Sequence, residues 1–161
     1  MQDLLRSDAL DRDAVLARNA LCVYRLAYSR AHRKADAEDI FQEVFLRWTR
    51  ANPTFQTEIH ERAWFIRVTL NTMKSYYRKA DRRRSVPVAE PPAPYEPEDD
   101  FELLLLALPE DERVDVHLFY AERMSVREIA KLTGRSENAV RIRLTRARKL
   151  LRQSLEGGDA Q

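Results

Sequence analysis

Cysteine, glycine and histidine are all scarce in this chain of 161 residues, at one, three and three copies. The single cysteine, Cys22, excludes an internal disulfide framework and a zinc knuckle. It lies in the apolar run Leu21-Cys22-Val23, where a buried, inert thiol is expected. His32, His60 and His117 are scattered without metal-ligand spacing, so neither a metal nor a cofactor is expected. With so few glycines, and little alternation of Val, Ile and Thr, the chain lacks the marks of a sheet and reads as all-α. No apolar run approaches the length of a membrane span, and the first residues lack a signal-peptide core. No membrane insertion and a cytoplasmic location are therefore expected.

What the chain has in quantity is charge, at 34% of residues, and it is strongly segregated behind a formal net charge of +2. Residues 62–84 hold eight Lys/Arg against one acid, residues 90–112 hold nine Asp/Glu, and residues 131–152 again hold eight Lys/Arg against one acid. Two basic blocks flanking an acidic one suit a polyanion gripped at two places, or two solvated helix faces. Residues 86–99, VPVAEPPAPYEPED, contain five of the seven prolines. Proline removes amide donors and disfavours helix before it, so a flexible acidic linker is expected there. The chain divides accordingly into two small helical domains, residues 1–85 and 101–156, with a linker over 86–100 and a tail over 157–161.

Apolar spacing predicts a helix over 12–31 and a second one opening at Asp36 as N-cap, with a buried stripe of Ile40, Phe41, Val44, Phe45 and Trp48. Asp39, Gln42, Glu43 and Arg47 project elsewhere. Asn52-Pro53 breaks the pattern, and a polar loop runs to about Glu61. A third helix over 63–78 gathers Phe65, Ile66, Thr69, Met73 and Tyr76 on one side, with Thr72 at the margin. Arg67, Asn71, Lys74 and Arg78, at i, i+4, i+7 and i+11, form a polar stripe bordered by Trp64 and Ser75. Cations, an amide and a ring together suit single-stranded nucleic acid, or simply a solvated face.

Beyond the proline stretch, Phe101–Leu108 reads as a short helix, and Pro109 fits the first turn of the next, which runs to about Glu122. Ser125-Val-Arg-Glu128 has capping-box spacing, Gly134 ends that short helix, and Ser136 caps a longer basic one. This is a helix-turn-helix pattern. In its second helix Val140, Leu144, Ala147 and Leu151 make the buried face, and Asn138, Ile142, Thr145 and Lys149 the opposite one, flanked by Arg141 and Arg146. Arg143 lies off this face and is expected to pair with an acid. Bidentate cations, a hydroxyl and an apolar contact are what a major-groove helix needs, although packing on a neighbouring domain would also use such a face.

Three stretches in order resemble the σ70 family of RNA polymerase sigma factors, of the extracytoplasmic-function type. DAEDIFQEVFLRW (Asp36–Trp48) resembles the family's region 2.2, AWFIRVTLNTMKSYYRKADRRR its regions 2.3 and 2.4, and Leu108–Leu151 its region 4. The resemblance implies a transcription initiation factor without catalytic residues. Its partners would be core RNA polymerase, through the β′ clamp helices and the β flap, promoter DNA, and an anti-sigma factor. By position, Asp39, Gln42 and Glu43 would contact the clamp helices. Trp64, Arg67, Asn71, Lys74, Ser75 and Arg78 would hold the single-stranded −10 element, with Asn71 capturing a flipped base and residues 52–61 forming its pocket. Ser136, Asn138, Arg141, Ile142, Thr145, Arg146 and Lys149 would read the duplex −35 element. Departures from the family stand at Ile142, in place of a small hydroxyl residue, and at Arg123-Met124, in place of Gly-Leu, where little effect is expected. A stand-alone helix-turn-helix regulator would explain residues 125–151 but not Asp36–Trp48. A nuclease built on Asp36, Glu38, Asp39 and Glu43 would lack a convergent partner.

Overall fold

The computed structural model describes residues 2–31, 33–83 and 99–158, with side chains described over 11–82, His32 apart, and from Asp99 on. The proline-rich stretch lies outside the described residues, apart from its last residue, Asp99. Seven α-helices and one π-helical turn account for the described secondary structure, and no strand occurs among them. They are α1 Gln2–Arg30, α2 Lys34–Ala51, α3 Glu58–Arg83, α4 Asp100–Leu106, α5 Glu110–Val116, the turn His117–Ala121, α6 Val126–Thr133 and α7 Glu137–Gly158.

α1, α2 and α3 pack mutually around an apolar core. The face of α2 that enters it is Ala37, Ile40, Val44 and Trp48, a narrower stripe than the one expected, with Phe41 and Phe45 half-buried at its edge. Asp36 does not cap α2. The helix opens one turn earlier, after Arg33, and Asp36 is buried in the first turn. There it accepts a hydrogen bond from the Tyr76 hydroxyl of α3 at 2.8 Å and pairs with Arg33 at 3.2 Å. A tertiary partner has claimed the carboxylate that local pattern assigned to a cap. At the other end Asn52 adopts φ 44 and donates its amide to the Trp48 carbonyl at 2.8 Å, and Pro53 follows where helix cannot.

α3 begins at Glu58, about one turn before the expected boundary, with the Thr57 hydroxyl accepting from the His60 amide at 3.2 Å. Its buried side is Phe65, Ile66, Thr69, Thr72 and Met73, so Thr72 belongs to the core rather than the margin. Glu61 is buried at the α1–α3 seam, where it accepts from Arg18 (2.9 and 3.1 Å) and from the Asn19 amide (2.6 Å). Burial raises its pKa, but these donors outweigh burial and hold the carboxyl below its ordinary value.

In the second half, Asp99 N-caps α4 by accepting from the Glu102 amide at 2.8 Å, so the expected linker loses its last two residues to structure. Pro109 is the N-cap of α5 rather than its first helical residue. The helix then widens into the π-helical turn, closed by the Glu122 amide on the His117 carbonyl at 3.2 Å. The chain leaves it through Arg123 at φ 54, a left-handed residue. The Ser125–Glu128 capping box forms in both directions (2.7 and 3.2 Å), and Gly134 ends α6 at φ 70. Arg135 then donates to the fully buried Asp115 of α5 at 2.8 Å, tying the turn to the scaffold beneath it. Burial pushes the Asp115 carboxyl up, and Arg135 opposes that shift.

The two halves touch through α1, whose far side meets α5, α4 and the π-helical turn. Arg25 of α1 pairs with Asp99 and lies 3.8 Å from Glu102, and Arg62 of α3 lies 3.7 Å from Glu122. The buried apolar residues form one cluster running from Val15 through to Ala147.

Candidate nucleic-acid interface

The outward stripe of α3 follows from the burial of its opposite side. Arg67, Asn71, Lys74 and Arg78 are all exposed, and none forms an ion pair or side-chain hydrogen bond with another described residue. Ser75 is half-buried beside them. Cations left without an internal partner are free to meet phosphate, whereas paired ones first have to give up their acids. Trp64 is half-buried and sits edge-on to Phe65 (5.1 Å) and Phe55 (5.9 Å). Phe55 belongs to the loop over 52–57, so two ring contacts, to Trp64 and Phe65, hold that loop against the first turns of α3. The sequence reading passed over Phe55. A lone aromatic between Asn52-Pro53 and α3 was the available signal.

On α7, Val140, Leu144 and Ala147 are buried and Leu151 half-buried, which leaves Asn138, Arg141, Ile142, Thr145, Arg146 and Lys149 exposed. Ile142 keeps 48% of its surface in water in the middle of that face. The cations divide into two kinds. Arg141 pairs with Glu137 at 3.2 Å in an exposed i,i+4 contact that is weak in water. Arg146 reaches inward to the nearly buried Glu112 at 3.3 Å, so it also serves the core of this half. Arg143 lies 3.6 Å from Asp111, as its position off the face led one to expect. Lys149 is exposed without such a partner. Arg148, outside the expected set, donates to the Tyr120 hydroxyl at 2.8 Å and lies over the Phe119 ring. The Ser136 hydroxyl accepts from the Ala139 amide at 3.1 Å, so it acts as a cap.

A third face lies on α2. Asp39 and Gln42 are exposed, and Glu43 is half-buried and paired with Arg47 at 2.9 Å. Asp39 also lies 3.4 Å from the Tyr76 hydroxyl. Leu46, seven residues beyond Asp39 and four beyond Gln42, shares this face and is 48% exposed. The sequence reading missed it, because a leucine between Phe45 and Trp48 reads as core unless its angle is projected.

At the seam between the halves the structure gathers Cys22, His117 and Glu122, whose ligand-type atoms lie within 4.8 Å of one another. Cys22 lies 95 residues before His117, too far for a spacing signal, and the packing of the π-helical turn on α1 brings it to the other two.

A helix-turn-helix beside a helical bundle with an aromatic and basic face defines a nucleic-acid-binding protein of transcription. The family model for σ70 region 2 matches residues 16–83, and that for σ70 region 4 matches residues 98–151. The chain belongs to the σ70 family of RNA polymerase sigma factors, in its extracytoplasmic-function group. It is 32% identical to the ECF RNA polymerase sigma factor SigE of Mycolicibacterium smegmatis, across 89% of this chain and 61% of that protein. It is 30% identical to the probable RNA polymerase sigma factor RfaY of Xanthomonas campestris, across 91% and 40%. The chain thus spans less than two thirds of these two relatives. It is also 28% identical to the sigma factor SigV of Bacillus subtilis, across 84% of this chain and 86% of that one. Among solved structures, the sigma factor RpoE of Bartonella quintana, in complex with the anti-sigma factor NepR, matches with a TM-score of 0.70 at 25% identity, across 91% of this chain and 97% of that one. CnrH in complex with the cytosolic domain of CnrY matches at 0.58 and 25%, across 90% and 87%.

Proposed function

We propose that the chain is a promoter-specificity subunit. It binds core RNA polymerase through the Asp39, Gln42, Glu43 and Leu46 face of α2. It sets the α7 face on duplex −35 DNA and holds an opened −10 strand along Arg67, Asn71, Lys74 and Arg78. Bond formation is the polymerase's work, and the chain contributes no catalytic residue. The observation that carries the reading is the coexistence of two outward basic faces, on α3 and α7, in a chain whose two halves match the two σ70 family models. A stand-alone helix-turn-helix regulator has no use for the first of these faces. Among the described residues no helix is long and apolar enough to cross a membrane. The likeness to RpoE bound to NepR and to CnrH bound to CnrY supports an anti-sigma partner and a cytoplasmic site of action.

The test is run-off transcription from genomic fragments by core polymerase with and without this chain. Starts that depend on it are expected, and their absence would return the stand-alone regulator to the front. Within that assay Asn71→Ala is expected to reduce open-complex formation at least tenfold while core binding stays within about twofold, since Asn71 is exposed and unpartnered. Equal loss of both would remove Asn71 from the −10 site.

A further inference from the structure

The seam between the halves contains a donor set that the proposed promoter function does not use. Cys22 is 3% exposed and His117 fully buried. The His117 Nε2 lies 3.5 Å from the Glu122 Oε1, and neither ring nitrogen has a hydrogen-bond partner of good geometry. A buried imidazole whose carboxylate neighbour stands 3.5 Å away, outside hydrogen-bond geometry, is weakly satisfied, which is unusual in a packed interior. Thiolate, imidazole and carboxylate are the ligands of a Zn²⁺-class ion, and bonds of about 2.0–2.1 Å at tetrahedral angles set nitrogen and oxygen ligands about 3.3 Å apart. The 3.5 Å separation seen here is close to that.

We propose that Cys22 Sγ, His117 Nε2 and Glu122 Oε1 form a three-ligand site for a divalent transition metal of the zinc class, which clamps the two halves of the chain together. Cys22 belongs to α1 and the other two to the segment after α5, so a bound ion crosslinks the halves. The second carboxylate oxygen, Oε2, stays with Arg62, 3.7 Å away, an outer contact that orients the ligand. A cleft of about 470 Å³ bordered by Arg62, Glu122 and Met124 opens the Glu122 side of the set to solvent. Binding converts the Cys22 thiol and M²⁺ into a thiolate–metal bond and releases one proton, so affinity weakens as the pH is lowered. Burial raises the thiol pKa well above its ordinary value, and Arg62 opposes that shift, so the ion has to supply what solvent does not.

Residues 84–98, fifteen in number, can extend across at most about 50 Å, enough for the halves to separate. An ion that holds the closed form opposes separation by its differential affinity for it. The regulatory meaning of the clamp rests on the promoter-factor reading; the metal site itself does not.

The test titrates metal-free full-length chain with Co²⁺ and reads the thiolate charge-transfer absorption, then repeats the titration with Zn²⁺ under small-angle X-ray scattering. A band saturating at one equivalent, lost in Cys22→Ala and weakened more than about tenfold in Glu122→Gln, is expected, together with a smaller radius of gyration on Zn²⁺ addition. No band, or a band that survives Cys22→Ala, overturns the site. Binding without compaction overturns the clamp. Glu122→Gln keeps the side chain's size and decides the matter should Cys22→Ala lose its helical circular dichroism. Because neither readout involves transcription, a chain that binds cobalt but starts no transcript separates failure of the promoter reading from failure of this one.

Discussion

Arg123 occupies the left-handed region at φ 54, where a side chain's Cβ costs about 1–2 kcal/mol. The family resemblance has glycine there, and from sequence the replacement looked inconsequential; only the backbone angle exposes its cost. Arg123→Gly is expected to stabilise the fold by roughly 0.5–1 kcal/mol, the relief of strain less glycine's own entropy. A denaturation midpoint that stays put or falls would refute this. Other residues divide on the same principle of local against tertiary causes. Arg143 was legible as a structural cation because its angle on α7 alone removes it from the outer face. Arg146 was read as a free cation, because nothing local announces that Glu112 of α5 would be buried within 3.3 Å of it. Likewise Asp36 looked like a cap until Tyr76, forty residues on, reached its carboxylate.

The same contrast orders the elements. Boundaries set by local chemistry were readable: the Ser125–Glu128 box, Gly134 after α6, and the Asn52-Pro53 stop. The early start of α3, where the Thr57 hydroxyl accepts from the His60 amide, and the π-helical turn were not read from the pattern. For α2 the outward face acquires a centre, Leu46, that polar pattern alone did not supply. Leu46→Asp is expected to weaken binding to core polymerase at least tenfold and to leave the unfolding midpoint within a degree or two, because a half-exposed side chain contributes little to folding. Loss of fold in parallel with binding would assign Leu46 to packing instead. For α7 the division between paired and unpaired cations decides which residue tests DNA contact. Arg146→Ala strands the buried Glu112, so it confounds affinity with stability. Lys149 carries no such burden. Lys149→Ala is expected to lower the magnitude of the salt slope of promoter binding by about 0.9 at unchanged stability. An unchanged slope would place the DNA elsewhere on α7.

Across the whole molecule, the all-α class and the two-part division were visible in composition and in the proline stretch, but the closed packing of the parts was not. Its determinants are dispersed: Arg25 on α1 against Asp99 and Glu102, Arg62 on α3 against Glu122, and apolar contact of α1 with α5. No pair among these is close in sequence, and Asp99 and Asp100, read from composition as linker acids, turn out to cap and open α4. If closure competes with spreading along the polymerase, then weakening the seam should favour the spread form. Arg25→Glu sets a third carboxylate against Asp99 and Glu102 and also removes the guanidinium that lies over the Phe101 ring at 5.7 Å. Like charges at this range disfavour contact, more so where Glu102 is 5% exposed and little screened. The variant is expected to keep its helical content, to scatter with a larger radius of gyration, and to bind core polymerase faster, since less of the population waits in the closed form. A scattering profile identical to that of the parent chain would mean that apolar burial between α1 and α5 holds the halves by itself. Unchanged association with polymerase despite a larger radius would mean that closure and core binding do not compete.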